Sequence, residues 1–382
     1  MNPGLYIHVP FCVRKCRYCD FYSEARLEGI SAYLSALQKE MARVASEVAF
    51  EGELDTLYLG GGTPSILRPS QVEAIVDSAA RFFPLAEDLE VTLETNPGTV
   101  DKTTLGDFKK AGVTRLNVGV QSLNDETLSF LGRLHTSQEA ISVLEMARGV
   151  GFENIGADLI FGIPGQSEEE VLADVKGFLE LLPEHLSCYM LTLEEGTPLE
   201  KAHRKGHFSM LDDALAGALF SAVSNALTQA GYLHYEVSNF ARKEAFISRH
   251  NVKYWEETTT LGLGPSAHGY WREKGLRWWN FRTLNDYVDA LAQGGRPVAG
   301  QETLGDEERL TEALYLGLRR RQGVDLAGLG RRFDRDLLKR LKPTAGELVK
   351  QGLAELDEAR LRLTRRGFAL ADGIVMRLLR FL

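Results

Sequence analysis

The 382 residues read as an α/β chain: a partial, open (β/α)6 barrel of TIM type, followed by a small helical, winged-helix-like module. Three observations predict this. Short apolar runs alternate six times, before about Gly231, with segments that are apolar every third or fourth residue. Polar and glycine-rich signals follow the strands, at the C-terminal ends where α/β barrels build ligand sites. The alternation then stops, and the last part of the chain holds helical patterns and one hairpin pattern.

Residues 5–9 read as the first strand, which feeds a cysteine-rich loop. The helix behind it carries Leu34, Leu37, Met41, Val44 and Val48 on one face. Residues 56–59 are the second strand, ending in Gly60-Gly61-Gly62-Thr63-Pro64, and Ser70 is expected to cap the next helix. A third strand over 89–93 ends at Glu94, a helix covers 103–111, and a fourth strand over 115–120 ends at Gln121. Ser137 is expected to cap a helix through Val143 and Met146. The fifth strand, 155–160, carries Asp158 and ends in Gly162-Ile163-Pro164-Gly165, after which Ser167 caps a helix. Residues 185–191 are the sixth strand and 211–230 a long helix. Such alternation implies parallel pairing through right-handed crossovers. Six units fall short of the eight that close a barrel.

Residues 235–240 look like one more strand, and 249–255 and 262–270 are unusual polar and aromatic segments. A short helix over 284–291 and a glycine-rich joint over 294–300 follow. Helical patterns cover 309–318, 326–333, 337–348 and 374–379, with a hairpin over 353–363. The expected division is 1–232 for the barrel, 233–300 for a connecting extension and 301–382 for the C-terminal module.

Hydrophobic residues make up 44% and charged residues 25%, the profile of a globular protein. No apolar run is long enough to span a membrane. A strand this close to the start leaves no room for a signal peptide, so a cytoplasmic location is expected. Clustered cysteines agree with a reducing compartment. The net charge of −9 argues against a nucleic-acid partner, although residues 305–382 hold 17 Lys+Arg against 12 Asp+Glu, a net +5 that leaves the rest at −14.

Three of the four cysteines, Cys12, Cys16 and Cys19, are spaced C-x3-C-x2-C. Thiolates suit iron–sulfur clusters and zinc. A structural zinc site normally has four protein ligands, and His8 or Asp20 would have to complete one here. Three thiolates can instead hold three irons of a [4Fe-4S] cube and leave the fourth open.

This loop, with Tyr18 before the last cysteine, resembles the radical SAM signature. The resemblance implies a [4Fe-4S] cluster whose open iron chelates S-adenosylmethionine. The order of Tyr6, the cysteines, Gly-Gly-Gly-Thr-Pro, Glu94, Asn117-Val118-Gly119-Val120-Gln121-Ser122, Leu131-Gly132-Arg133 and Asp158 to Gln166 is similar to the HemN/HemW branch of that superfamily. By that similarity Tyr6, Tyr18, Gly61 and Glu94 would contact the cluster-bound SAM, and Gly62, Thr63, Gln121, Arg133 and Asp158 would line the same pocket. The oxygen-independent coproporphyrinogen III dehydrogenases of the branch carry one more cysteine two residues after the third; here that position is Phe21. The departure points to the HemW-like haem chaperones, with the dehydrogenase as the alternative.

A His with nearby aromatics is weak evidence for haem by itself; His268 in the later glycine-rich loop is a rival ligand, and Cys188 reads first as a small buried core residue, with thiolate ligation of haem only the lesser reading. His250-Asn251-x-x-Tyr254-Trp255, however, resembles the HNxxYW motif of the HemW family, which links these four residues to haem. The resemblance further implies haem as cargo and haem-acceptor partners, respiratory and membrane-associated.

Overall fold

The computed structural model describes residues 2–48 and 52–382. Its first part alternates as expected: β1 (Gly4–Val9), α1 (Ile30–Glu47), β2 (Leu54–Gly61), α2 (Pro69–Phe82), β3 (Leu85–Thr95), α3 (Lys102–Lys110), β4 (Arg115–Gln121), α4 (Asp125–Leu131), α5 (Ser137–Gly149), β5 (Ile155–Phe161), α6 (Glu168–Leu181), β6 (His185–Met190), α7 (Pro198–Arg204) and α8 (Asp213–Gln229). Strands β1 to β6 lie side by side in sequence order, all parallel. Leu5, Ile7 and Val9 of β1 join Leu57, Leu59 and Leu93 in the main core, packed against helices. The alternate residues of β1, Tyr6 and His8, point the other way, because successive side chains leave opposite faces of a strand.

Caps fall where side chains can reach free N–H groups. Ser167 accepts from the Glu170 N–H, as expected. The helix expected to begin at Ser137 is instead capped by Thr136, which forms a reciprocal box with Glu139. Ser70 caps nothing: α2 starts a residue earlier on Pro69, and the Arg68 N–H is met by Gln71 Oε1 at 2.9 Å. The short helices α4 and α7 have no counterpart in the sequence reading.

The barrel stays open, and both edges are extended. β7 (Leu233–His234) and β8 (Asn239–Ala241) form an antiparallel hairpin, and β8 pairs with β6. The single strand expected over 235–240 is therefore mostly the turn of this hairpin, with only its last two residues in β8. After α9 (Arg249–Trp255), β9 (Thr260–Leu263) runs parallel to β1 on its free edge. β10 (His268–Trp271), β11 (Leu276–Asn280), α10 (Leu284–Ala292) and β12 (Val298–Thr303) continue outward, so the joint expected at 294–300 runs into a strand. The whole sheet has twelve strands in the order β12-β11-β10-β9-β1-β2-β3-β4-β5-β6-β8-β7.

The C-terminal module has α11 (Asp306–Gly317), β13 (Val324–Asp325), α12 (Leu326–Arg332), α13 (Leu337–Lys350), β14 (Ala354–Asp357), β15 (Arg360–Leu363), α14 (Arg365–Phe368) and α15 (Ala371–Leu379). Helices and a three-stranded sheet in this order have the winged-helix pattern. The module has its own core, including Leu314, Leu341, Leu348, Leu361 and Ile374.

One buried carboxylate joins the extension to the barrel. Glu40 on α1 accepts from the Gly264 N–H (2.8 Å), Asn280 Nδ2 (2.6 Å) and the Tyr287 hydroxyl (2.6 Å). Burial pushes its pKa up to about 7. Removing the acceptor would leave the Gly264 N–H and the Tyr287 hydroxyl without it, and Asn280 Nδ2 with only the Gly264 carbonyl at 2.9 Å. Glu40→Ala should lower the unfolding free energy by about 2–4 kcal/mol; a denaturant midpoint unchanged from wild type would show that water replaces the carboxylate.

Candidate functional site

The three cysteines lie in the loop between β1 and α1, and the loop is tied down on several sides. Cys12 N–H donates to the Glu24 carbonyl (3.0 Å), and Glu24 N–H to the Pro10 carbonyl (2.8 Å). Gly62 and Thr63 donate to the carbonyls of Val9 (2.9 Å) and Phe11 (2.7 Å). A Cβ on Gly62 would sit 2.6 Å from the Phe11 oxygen and 2.9 Å from its nitrogen. Close approach of two backbones is therefore what this glycine supplies. The two unforeseen helices hold the far side: Arg17 N–H donates to the Leu131 carbonyl at the end of α4 (3.1 Å), and Leu199 N–H in α7 donates to the Arg17 carbonyl (3.0 Å).

A cavity of about 620 Å³ opens beside this loop at the C-terminal ends of the strands. Cys12, Cys16, Cys19, Tyr18, Gly61, Gly62, Thr63, Glu94, Gln121, Arg133 and Asp158 all line it. The structure thus brings together every expected cluster and SAM residue except Tyr6. That ring lies behind the wall, its hydroxyl 3.2 Å from His8 Nδ1 and its face stacked on Tyr58 at 6.0 Å.

A chain of hydrogen bonds joins two of the thiols. Arg133 Nη2 donates to Asn96 Oδ1 (2.6 Å), Asn96 Nδ2 donates to Thr63 Oγ1 (2.9 Å), and Thr63 Oγ1 lies 3.3 Å from Cys12 Sγ. The Thr63 hydroxyl accepts from Asn96 and so is free to donate to the sulfur. Arg133 Nη1 reaches Cys16 Sγ at 3.4 Å, and Nη2 also meets the Gly119 carbonyl at 2.7 Å. Burial pushes the Cys19 thiol up to about 11. Asn96 escaped the sequence reading. Its signal was the Asn96-Pro97 pair two residues past Glu94, which reads as ordinary turn chemistry.

Two acids on the wall are held near neutral. Glu94 accepts from the Tyr58 hydroxyl (2.8 Å) and the Gly61 N–H (3.2 Å), yet desolvation lifts its pKa to about 7. Asp158 takes both bonds from Asn117 Nδ2 (3.0 and 2.9 Å), and desolvation lifts it to about 6. Gln121 ends β4 with φ of 70°, and its buried Oε1 has no hydrogen-bond partner among the described residues. Such a wall has groups ready for a ligand carrying both positive and hydrogen-bonding functions.

The donor set fits a cluster better than a zinc ion. Both nitrogens of His8 are engaged, Nδ1 with Tyr6 and Nε2 with the Tyr22 carbonyl at 2.8 Å. Asp20 is exposed, with a carboxylate oxygen 3.9 Å from Arg282. Among the described residues no three His, Cys, Asp or Glu side chains are grouped to hold a single metal ion. Three thiols around an open cavity, with no fourth ligand beside them among the described residues, match a cube that leaves one iron free.

The motif linked to haem lies elsewhere. His250, on α9, is 1% exposed. Its Nδ1 lies 2.9 Å from Thr56 Oγ1 and its Nε2 3.0 Å from the Tyr254 hydroxyl. The ring stacks on Tyr58 at 4.9 Å, and burial lowers its pKa to about 3. It therefore props the back of the β1–β2 wall, with no ring nitrogen open. Asn251 and Trp255 are half-buried beside it, and Tyr254 is 44% exposed. His268 is exposed on β10 and stacks on Trp279. Cys188 is buried on β6, facing away from the cavity that holds the other cysteines.

Comparison with known proteins agrees with this geometry. The Radical SAM superfamily model matches residues 6–176, and the HemN C-terminal domain model matches residues 304–370. A protein named Heme chaperone HemW from Mycobacterium tuberculosis is 37% identical over 380 residues, covering 98% of this chain and 94% of its own. Its namesake from Bacillus subtilis is 33% identical over 371 residues, covering 97% of each. The solved structure of coproporphyrinogen III oxidase (HemN) from Escherichia coli superposes with a TM-score of 0.84 over 100% of this chain and 91% of that one. At 24% identity that likeness speaks for the fold alone. Joined with identity above 30% along almost the whole of both chains, the three-cysteine cavity and the winged-helix module place this protein in the HemW heme chaperone family of the radical SAM superfamily.

Proposed function

We propose that this protein is a haem chaperone. It binds a [4Fe-4S] cluster and S-adenosylmethionine in the barrel cavity, carries haem, and hands it to haem-acceptor proteins of the respiratory chain. Kinship along the full chain to proteins named heme chaperones carries this reading. Phe21 agrees with it: the ring lines the cavity mouth, 66% exposed, where the porphyrinogen-oxidising members of the branch place a further cysteine. The action is assigned to the cytoplasm. No helix among the described residues is long and apolar enough to cross a membrane, so a membrane-bound acceptor would be met by docking. The division into 1–232, 233–300 and 301–382 is kept as the working domain map.

Cys12, Cys16 and Cys19 would hold three irons. When bound, the cluster supplies a low-potential electron for SAM. The chain's own work is placement. Thr63 and Arg133 direct hydrogen-bond donors at the Cys12 and Cys16 sulfurs, and such donors tune a cluster's potential. Glu94 and Asp158 offer carboxylates to the SAM ammonium and ribose hydroxyls, while Gly61, Gln121 and Tyr18 shape the wall. Tyr6 would act through Tyr58, on which it stacks. Residues His250, Asn251, Tyr254 and Trp255 could serve haem only after the Tyr254 hydroxyl leaves His250 Nε2.

The test is a paired assay. The protein is reconstituted anaerobically and given SAM, reductant and coproporphyrinogen III; in parallel, hemin is titrated in and its transfer to an apo haem protein is followed. Retention and transfer of haem without turnover is the expected result, and repeated turnover to protoporphyrinogen would overturn the chaperone reading. Gly62→Ala should reduce iron retained after reconstitution by roughly tenfold, since the new Cβ meets Phe11 backbone that cannot swing aside; wild-type iron content would show that the loop tolerates displacement. Glu94, neutral below about 7 and ionised above it, should make SAM bind more tightly as pH rises through that value. The pH dependence should flatten in Glu94→Gln, as read by equilibrium binding.

A further inference from the structure

A second cavity, of about 560 Å³, lies between the barrel and the C-terminal module. Its barrel wall is the outer side of β5 and β6, with Phe161, Cys188 and Met190, together with Phe220 of α8. The opposite wall comes from α13, α14 and α15 and is chiefly apolar, including Leu348, Phe368 and Ile374. Arg319 and Arg377 stand at its polar part. Arg319 is only 9% exposed; it lies over the Tyr315 ring at 3.6 Å and is ion-paired with Asp372, while Arg377 pairs with Glu347. With Asp372 as the acid on the lining, its charged side chains sum to one positive charge.

These features match one ligand chemistry. Haem is a large apolar plate with two carboxylates at one edge and an iron that takes soft or imidazole ligands. The cavity has the size of a cofactor site, aromatic walls for the plate and guanidinium groups for the carboxylates. Two sulfur atoms, of Cys188 and Met190, stand on the same strand two residues apart. Arg319 is held in place over the Tyr315 ring, and each arginine now carries a protein carboxylate, Asp372 on Arg319 and Glu347 on Arg377, that a ligand carboxylate would displace or share. The motif at His250, by contrast, has both ring nitrogens engaged.

We propose that the cleft between β5–β6 and the C-terminal module is the resting site for haem, with its carboxylates towards Arg319 and Arg377 and its iron on the sulfur side of β6. This rests on the haem reading above and adds the place. A cargo held between two parts of the chain can leave when they part, which suits a carrier better than a closed barrel interior would.

Gly373 allows a direct test. It lines the cleft from α15, and a Cβ there would meet no atom within 4 Å. Gly373→Trp should fill the cleft while favouring the helix, since glycine is a poor helix former. Hemin titration should show at least tenfold weaker binding than wild type, with the iron–sulfur absorbance of the reconstituted protein unchanged as the folding control. The double variant Cys188→Ala/Met190→Leu should still fold and should shift the haem Soret band. Binding and Soret band equal to wild type in both variants would overturn the site while leaving haem carriage intact. Absence of hemin binding in the wild type would overturn the haem reading itself. Should Gly373→Trp lose the cluster absorbance, Gly373→Leu, with a smaller filling, is the replacement, and unchanged hemin affinity in it overturns the site.

Discussion

The close approach of two backbones at Gly62 is the constraint on which the site depends. The end of β2 lies against the start of the cysteine loop, and N–H groups of Gly62 and Thr63 fasten Val9 and Phe11. Everything reactive is placed relative to that seam. Thr63 meets the Cys12 sulfur because it is the next residue after the glycine, and Asn96, just past β3, and Arg133, just past α4, then link Thr63 to Cys16. A mutation at a strand end can therefore act on a sulfur that it never touches.

The wall chemistry follows from the same geometry. Glu94 near the end of β3 and Asp158 within β5 flank β4 on either side, enclosed enough that burial outweighs the donors they receive. A carboxylate whose pKa is lifted towards neutrality can take up or release a proton as a cation leaves or arrives, which lessens the cost of a desolvated charge. His250 shows the opposite solution: a neutral imidazole with both nitrogens satisfied, used as packing behind Tyr58.

The sequence made the barrel legible because period-2 and period-3.6 patterns survive in β1 to β6 and their main helices. The three cysteines and the glycine run were legible because each lies at or just past the end of a strand, and Glu94 and Asp158 because each lies on one, so the fold decides where they point. The misses have physical causes too. Helices α4 and α7 are seven residues each, two turns whose apolar face is too short to show a period, and they are stabilised by the cysteine loop they hold. The strand expected at 235–240 hid a turn: Tyr235 and Val237 alternate with polar residues as a strand would, while the chain bends back at Val237 and Ser238 between β7 and β8. Asn96 acquires its importance only through partners 33 and 37 residues away in sequence, which no local pattern encodes.

Strand β1 is flanked on one side by β2 and on the other by β9, with Gly4 paired to both Thr56 and Thr260. The second neighbour arrives some 250 residues later in the chain. During synthesis the strand that launches the cysteine loop therefore waits, half-paired, until β9 has left the ribosome. The β9 turn also brings Gly264, whose N–H meets Glu40 and whose missing Cβ leaves room for the His8 carbonyl. Completing the wall beneath the cysteines is thus a late event in folding, with a high loop-closure cost. The cysteines are made long before the strand that completes their surroundings.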